Sequence, residues 1–143
     1  MPRKIKDSAA AETEYRAAIA ASNSGARAWE DLAGFFRKFN RLDEMEQAVG
    51  HLETACLDHP DALMDGAQML LETGRNFPLA ERLLRRYLSS PDEAGPAFKA
   101  HDMLGQLLEK QGNRQAAARE YRAALELAHS YAQAQQDLNR VAG

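Results

Sequence analysis

An all-α fold is predicted for this chain, on three observations. Of its 143 residues, 27 are alanine, whereas valine, isoleucine and threonine together supply seven. Alanine loses least on entering a helix, and the β-branched residues that favour strands are nearly missing. The third observation is a pattern: small and apolar residues recur in steps of three and four, the spacing that keeps them on one helical face. The length is that of one domain. With 45% apolar and 27% charged residues, the composition is that of a soluble, folded chain.

Taken in order, residues 1–8 are basic at Arg3, Lys4 and Lys6 and are expected to form a flexible segment, with a helical repeat domain over 9–143. The first helix carries Ala11, Tyr15 and Ala18. Three two-helix units follow. Their front helices carry Trp29, Leu32, Ala33 and Phe36, then Leu63, Gly66, Ala67 and Leu70, then His101, Leu104, Gly105 and Leu108, each in steps of three, one and three. Their back helices carry Ala48, Leu52 and Ala55, then Ala80, Leu84 and Tyr87, then Ala117, Tyr121 and Ala124. Between front and back stand Asn40-Arg41, Gly74-Arg75 and Gly112-Asn113, where asparagine or glycine permits the left-handed residue that ends a helix. The back helices have N-caps in Asp43 (with Glu46 completing a capping box), Asn76 (with Pro78 in the first turn) and Asn113. Pro60 and Pro96 suit the openings of the second and third front helices. About three extra turn residues are expected around Arg41 to Met45, and a long loop over Ser89 to Gly95. The last helix presents Tyr131, Ala134, Leu138 and Val141 as an apolar stripe. Gln133, Gln135, Gln136, Asp137 and Arg140 lie on its other faces, as on a capping helix with a wet outer side.

This arrangement resembles the tetratricopeptide repeat, about 34 residues of helix–turn–helix with a Trp–Leu–Gly–Tyr front helix and an Ala–Phe–Ala–Pro back helix. Trp29, Leu32, Phe36, Ala48, Leu52, Ala55 and Pro60 match the first full repeat. Leu104, Gly105, Leu108, Gly112, Ala117, Tyr121 and Ala124 match the third. In the second, Gly66 stands where leucine is usual and Tyr87 where alanine is usual. The resemblance covers about residues 9–129. It implies a right-handed superhelix, an α-solenoid of antiparallel helix pairs, whose front helices line a concave groove that holds a protein or peptide. The helix of Ala11, Tyr15 and Ala18 is then a back helix without its front partner, either an N-terminal cap or the start of a chain inside a longer array.

Composition also excludes some functions. The net charge is −3, from 18 basic and 21 acidic residues, without the basic excess that neutralises phosphates, so no nucleic acid is expected as partner. No apolar run approaches the ~18 residues of a membrane span. The basic start lacks the apolar core of a signal peptide, which favours a cytoplasmic place, with the periplasm or secretion open if a signal was removed. The lone Cys56 leaves no internal disulfide and is expected to be a small core or boundary residue. His51, Cys56 and His59 have no recognised zinc spacing, so no metal is expected, and no cofactor. His101 is expected to pack where the repeat wants an aromatic. The Gly105–Gly112 stretch lacks the closing Gly-Lys-Ser/Thr of a phosphate loop, and acid pairs such as Asp43-Glu44 and Asp92-Glu93 suit helix starts better than catalysis. An enzyme is therefore not expected.

The expected site is the groove. Helical spacing away from the core stripe gives a first row of Arg27, Glu30, Asp31, Gly34, Arg37 and Lys38. A second row is Asp61, Met64, Asp65, Gln68, Leu71 and Glu72. A third is Lys99, Asp102, Met103, Gln106, Glu109 and Lys110. The middle row is acidic with two apolar spots, Met64 and Leu71, which suits an extended peptide with a basic or amphipathic centre. Glu30 and Gly34 stand where the family's C-terminal-carboxylate clamp has lysine and asparagine, so that ligand is not expected. The alternative is a self-associating module. It would use the first helix or the face of Phe35 and Phe39, whose other expected role is packing against Tyr15 and Ile19.

Overall fold

The computed structural model describes residues 2–89, 96–128 and 132–142, and among them finds eight α-helices and no strand. None of these helices is long and apolar enough to cross a membrane. The chain divides into two compact units, Met1–Gly66 and Ala67–Gly143.

The first unit holds α1 (Pro2–Ala21), α2 (Ala26–Lys38), α3 (Leu42–Gly50), a 3-10 turn (His51–Glu53) and the start of α4 (Asp61–Thr73). The first helix reaches back to Pro2, through most of the segment the sequence sets apart as flexible. Leu32, Ala33 and Phe36 of α2 are buried as their spacing predicts, and Phe35 is buried with them beneath Tyr15, ring centroids 5.3 Å apart. Trp29 is only half-buried and stacks on His51 at 3.8 Å. Asn40 takes φ 58° and the Arg41 N–H donates back to Phe36 O at 2.8 Å, which closes α2 as the turn predicts.

Two expectations fail just beyond this turn. Arg41 to Met45 is not an enlarged turn: α3 begins at Leu42 with Arg41, not Asp43, in the N-cap place. The Arg41 guanidinium explains the early start, since it bridges Glu44 of α3 and Glu12 of α1 while lying 4.6 Å above the Phe36 ring. At the other end α3 stops at Gly50 instead of running through Ala55. The chain leaves the helix to pair with the opening of α2: Ala26 N–H donates to Cys56 O at 2.9 Å, and Cys56 N–H to Ser24 O at 3.3 Å. Cys56 is thereby exposed, not a core or boundary residue. Asp58 accepts from Arg27 N–H at 3.2 Å, and a Cβ on Gly25 would come within 2.3 Å of its carboxylate.

The second unit continues α4 and adds α5 (Phe77–Leu88), α6 (Ala97–Lys110), α7 (Arg114–Leu127) and α8 (Ala132–Ala142). The cap predictions hold here. Asn76 accepts from Leu79 N–H at 3.3 Å, and Asn113 from Ala116 N–H at 3.2 Å. Gly74 and Gly112 take φ 66° and 84°. Helices α6 and α7 come close together at Gly105, where a Cβ would lie 2.4 Å from Tyr121 Cε1. The Val141 and Leu138 side chains of α8 pack on Ala117, Ala118 and Tyr121. Its wet face is narrower than expected, because Asp137 is 2% exposed. Residues 90–95 of the loop expected over Ser89 to Gly95, and Tyr131 of the expected apolar stripe, lie outside the described residues.

Candidate functional site

The three predicted rows fall on α2, α4 and α6, but not all of their side chains are open. On α2, Arg27, Asp31 and Lys38 are exposed, and Glu30, Gly34 and Arg37 half-buried. On α4, Asp65 and Glu72 are exposed, Asp61, Met64 and Gln68 half-buried, and Leu71 is buried at 6%. On α6, Lys99 and Lys110 are exposed, Gln106 and Glu109 half-buried, and both Asp102 (1%) and Met103 (8%) are buried. Leu71, Asp102 and Met103 therefore do not line an open face. Each flanks a core residue of its helix, and the apolar stripe of a packed helix is wider than a three-one-three pattern. Asp102 is further closed off by Asp137 of α8.

Acidic side chains from alternate helices meet at two places. In the first unit Glu30 of α2 meets Asp65 of α4, and His59, just before α4, joins them. One donor atom from each of the three lies within 4.8 Å of the others, with His59 Nε2 3.9 Å from Glu30 Oε2. Burial pushes the Glu30 carboxyl up to about 8, the neighbouring Asp65 adds to the effect, and only Arg27 opposes it.

In the second unit Asp102 of α6 meets Asp137 of α8. Asp102 Oδ2 accepts from Gln106 Nε2 at 2.8 Å, while Asp137 Oδ1 accepts from Gln133 Nε2 at 3.0 Å and Arg140 Nη1 at 2.8 Å. The remaining oxygens, Asp102 Oδ1 and Asp137 Oδ2, are buried with no protein donor. A proton on Asp102 would give the pair the donor it lacks. Burial and Asp137 accordingly push Asp102 up to about 7, against Gln106 and Arg140. Arg140 Nε also donates to Glu109 Oε2 at 2.9 Å, and the Tyr121 hydroxyl to Glu109 Oε1 at 2.8 Å. Arg140 holds Glu109 below the usual carboxylate range. Burial and Glu109 hold the Tyr121 phenol well above its own, so it remains a donor. Gln106, Glu109, Lys110, Gln133, Asp137 and Arg140 line a cavity of about 290 Å³ here.

The two pairs share a sequence signature that the row-by-row reading overlooks. Glu30 follows Trp29 and Asp102 follows His101, the two aromatics that open the same front-helix pattern. Each acid meets an aspartate 35 residues further on. The sequence neighbours of His59 lack ligand spacing, whereas its neighbours in the fold, Glu30 and Asp65, come from two helices. His101 is half-buried with Nδ1 2.7 Å from Glu120 Oε2, a polar contact besides packing. Phe35 is buried while Phe39, 5.0 Å from it, is 43% exposed. No protein-family model matches the chain, and no curated protein matches it.

Proposed function

We propose that this chain is a non-catalytic protein-binding scaffold, an α-solenoid of the tetratricopeptide kind. Its front-helix face takes a basic or amphipathic segment of a partner. The carrying observation is the contrast between the two acid pairs. In the second unit the chain seats its own arginine, Arg140, between Asp137 and Glu109. In the first unit Glu30 and Asp65 crowd together with no arginine or lysine ion-paired to either among the described residues. Two carboxylates that share a site disfavour full ionisation, and a lysine or arginine from a partner relieves that cost. The left-handed turns, the asparagine caps and the Gly105–Tyr121 approach support the repeat reading, since each stands where the repeat needs it.

The test is a binding comparison, made in EDTA, of basic amphipathic peptides with acidic peptides of matched hydropathy. It uses wild type, the pair Glu30→Gln/Asp65→Asn, and the triple Asp61→Ala/Asp65→Ala/Glu72→Ala. Preference for basic peptides, lost about tenfold in the variants, is the expected result. Equal affinity for both peptide classes, or no effect of the substitutions, overturns the reading. Self-association is the second reading, favoured by exposed Phe39 and weakened by the cover of Tyr15 over Phe35. A mass that rises with concentration and falls back in Phe39→Ser would select it.

A further inference from the structure

We infer that Glu30, His59 and Asp65 form a binding site for a divalent transition-metal ion of the zinc class. The donors arrive from α2, from the segment before α4 and from the second turn of α4, and their ligand atoms already lie within 4.8 Å of one another. Metal bonds of about 2 Å put neighbouring donors roughly 3.3 Å apart, so small side-chain rotations close the site. The donor set decides the kind of ion. One imidazole nitrogen and two carboxylates suit zinc and its neighbours, whereas calcium and magnesium take oxygen alone.

The comparison with the other acid pair sharpens this choice. Asp102 and Asp137 have Arg140 and two glutamines as partners and no imidazole. Glu30 and Asp65 have an imidazole beside them and, among the described residues, no arginine or lysine ion pair. An imidazole nitrogen beside two carboxylates is a donor set that a transition-metal ion uses in full. Glu30 is largely buried and Asp65 exposed, so the ion has an entry path and coordination positions left for water.

This goes beyond the scaffold reading and does not depend on it, although the ion and a basic segment would compete for the same carboxylates. The test uses the whole chain freed of metal with EDTA and dialysed. Zn²⁺ is titrated by calorimetry and Co²⁺ by its visible absorption, with Ca²⁺ and Mg²⁺ as competitors. One saturable equivalent is expected, weakened at least tenfold in His59→Ala and in Glu30→Gln, and unchanged in His51→Gln. Circular dichroism of each variant confirms helix content, and His59→Gln replaces His59→Ala should the latter unfold. Failure of wild type to bind Zn²⁺ saturably overturns the inference. So does equal binding by a folded His59 variant, or displacement by equimolar Ca²⁺. Because the peptide comparison is made in EDTA, either proposal can fail alone.

Discussion

Single residues settle how closely the helices approach and where protons sit. Gly105 is the sharpest steric case: any Cβ there meets the ring of Tyr121, which is fully buried and tied to Glu109. Turning the ring about its own axis does not help, because Cζ lies on that axis 2.8 Å from the added Cβ, and shifting the axis moves the hydroxyl away from Glu109. Gly105→Ala is therefore expected to destabilise the chain by about 2–3 kcal/mol in urea unfolding, although alanine is the better helix former. Asp102 makes a prediction with a sign. Its carboxyl keeps a proton up to about pH 7 when folded, but loses it near its ordinary value of 3.8 when unfolded. The folded chain binds the extra proton between those values, so its stability falls as pH rises from about 4 to about 7 and then levels. Asp102→Asn keeps the shape and supplies a permanent donor to Asp137. It should match wild type near pH 4 and exceed it by about 1–3 kcal/mol at pH 8. A wild-type curve parallel to that of the variant would show that Asp102 holds no extra proton.

Helices and turns were the most legible scale, because their signals are local. Asn76, Asn113, Gly74 and Gly112 act on neighbours within four residues, and each does what its residue type predicts. The start and end of α3 were not legible, because both are set by distant partners: Arg41 reaching Glu12, and Cys56 pairing with the opening of α2. Asn113→Ala removes one hydrogen bond from the first turn of α7 and should cost about 1 kcal/mol. The docking of α8 rests on an apolar contact and on Arg140, which ties Asp137 to Glu109 of α6. Arg140 is half exposed, so water screens much of its attraction, yet Asp137 is buried and loses its one cationic partner among the described residues when the arginine is removed, keeping Gln133 and the Asp102 carboxyl. Arg140→Ala is expected to speed amide exchange along α8 before it affects α5, with a loss of about 1 kcal/mol in global stability.

For the molecule as a whole, the all-α class was legible because composition alone excludes a sheet. The acid pairs were not, because each joins residues 35 apart, and only repetition of that interval would have revealed them. The repetition also bears on how a partner would bind. Of the two pairs, Asp102 and Asp137 are buried and carry Arg140, so their charges are already answered within the chain. Glu30 and Asp65 are the pair a partner can reach, with exposed Asp65 at its mouth. On a chain of net charge −3, attraction for a basic segment would then be concentrated at the first pair and not spread evenly over the surface. Raising salt from about 50 to about 500 mM shortens the Debye length from roughly 14 to roughly 4 Å and should weaken a bound basic peptide about tenfold or more. In Glu30→Gln/Asp65→Asn the affinity should be low at both salt concentrations and the salt slope shallow. In Asp102→Asn/Asp137→Asn the slope should match wild type. A slope lost equally in both variants would mean that the whole molecule's charge, and not this pair, attracts the peptide.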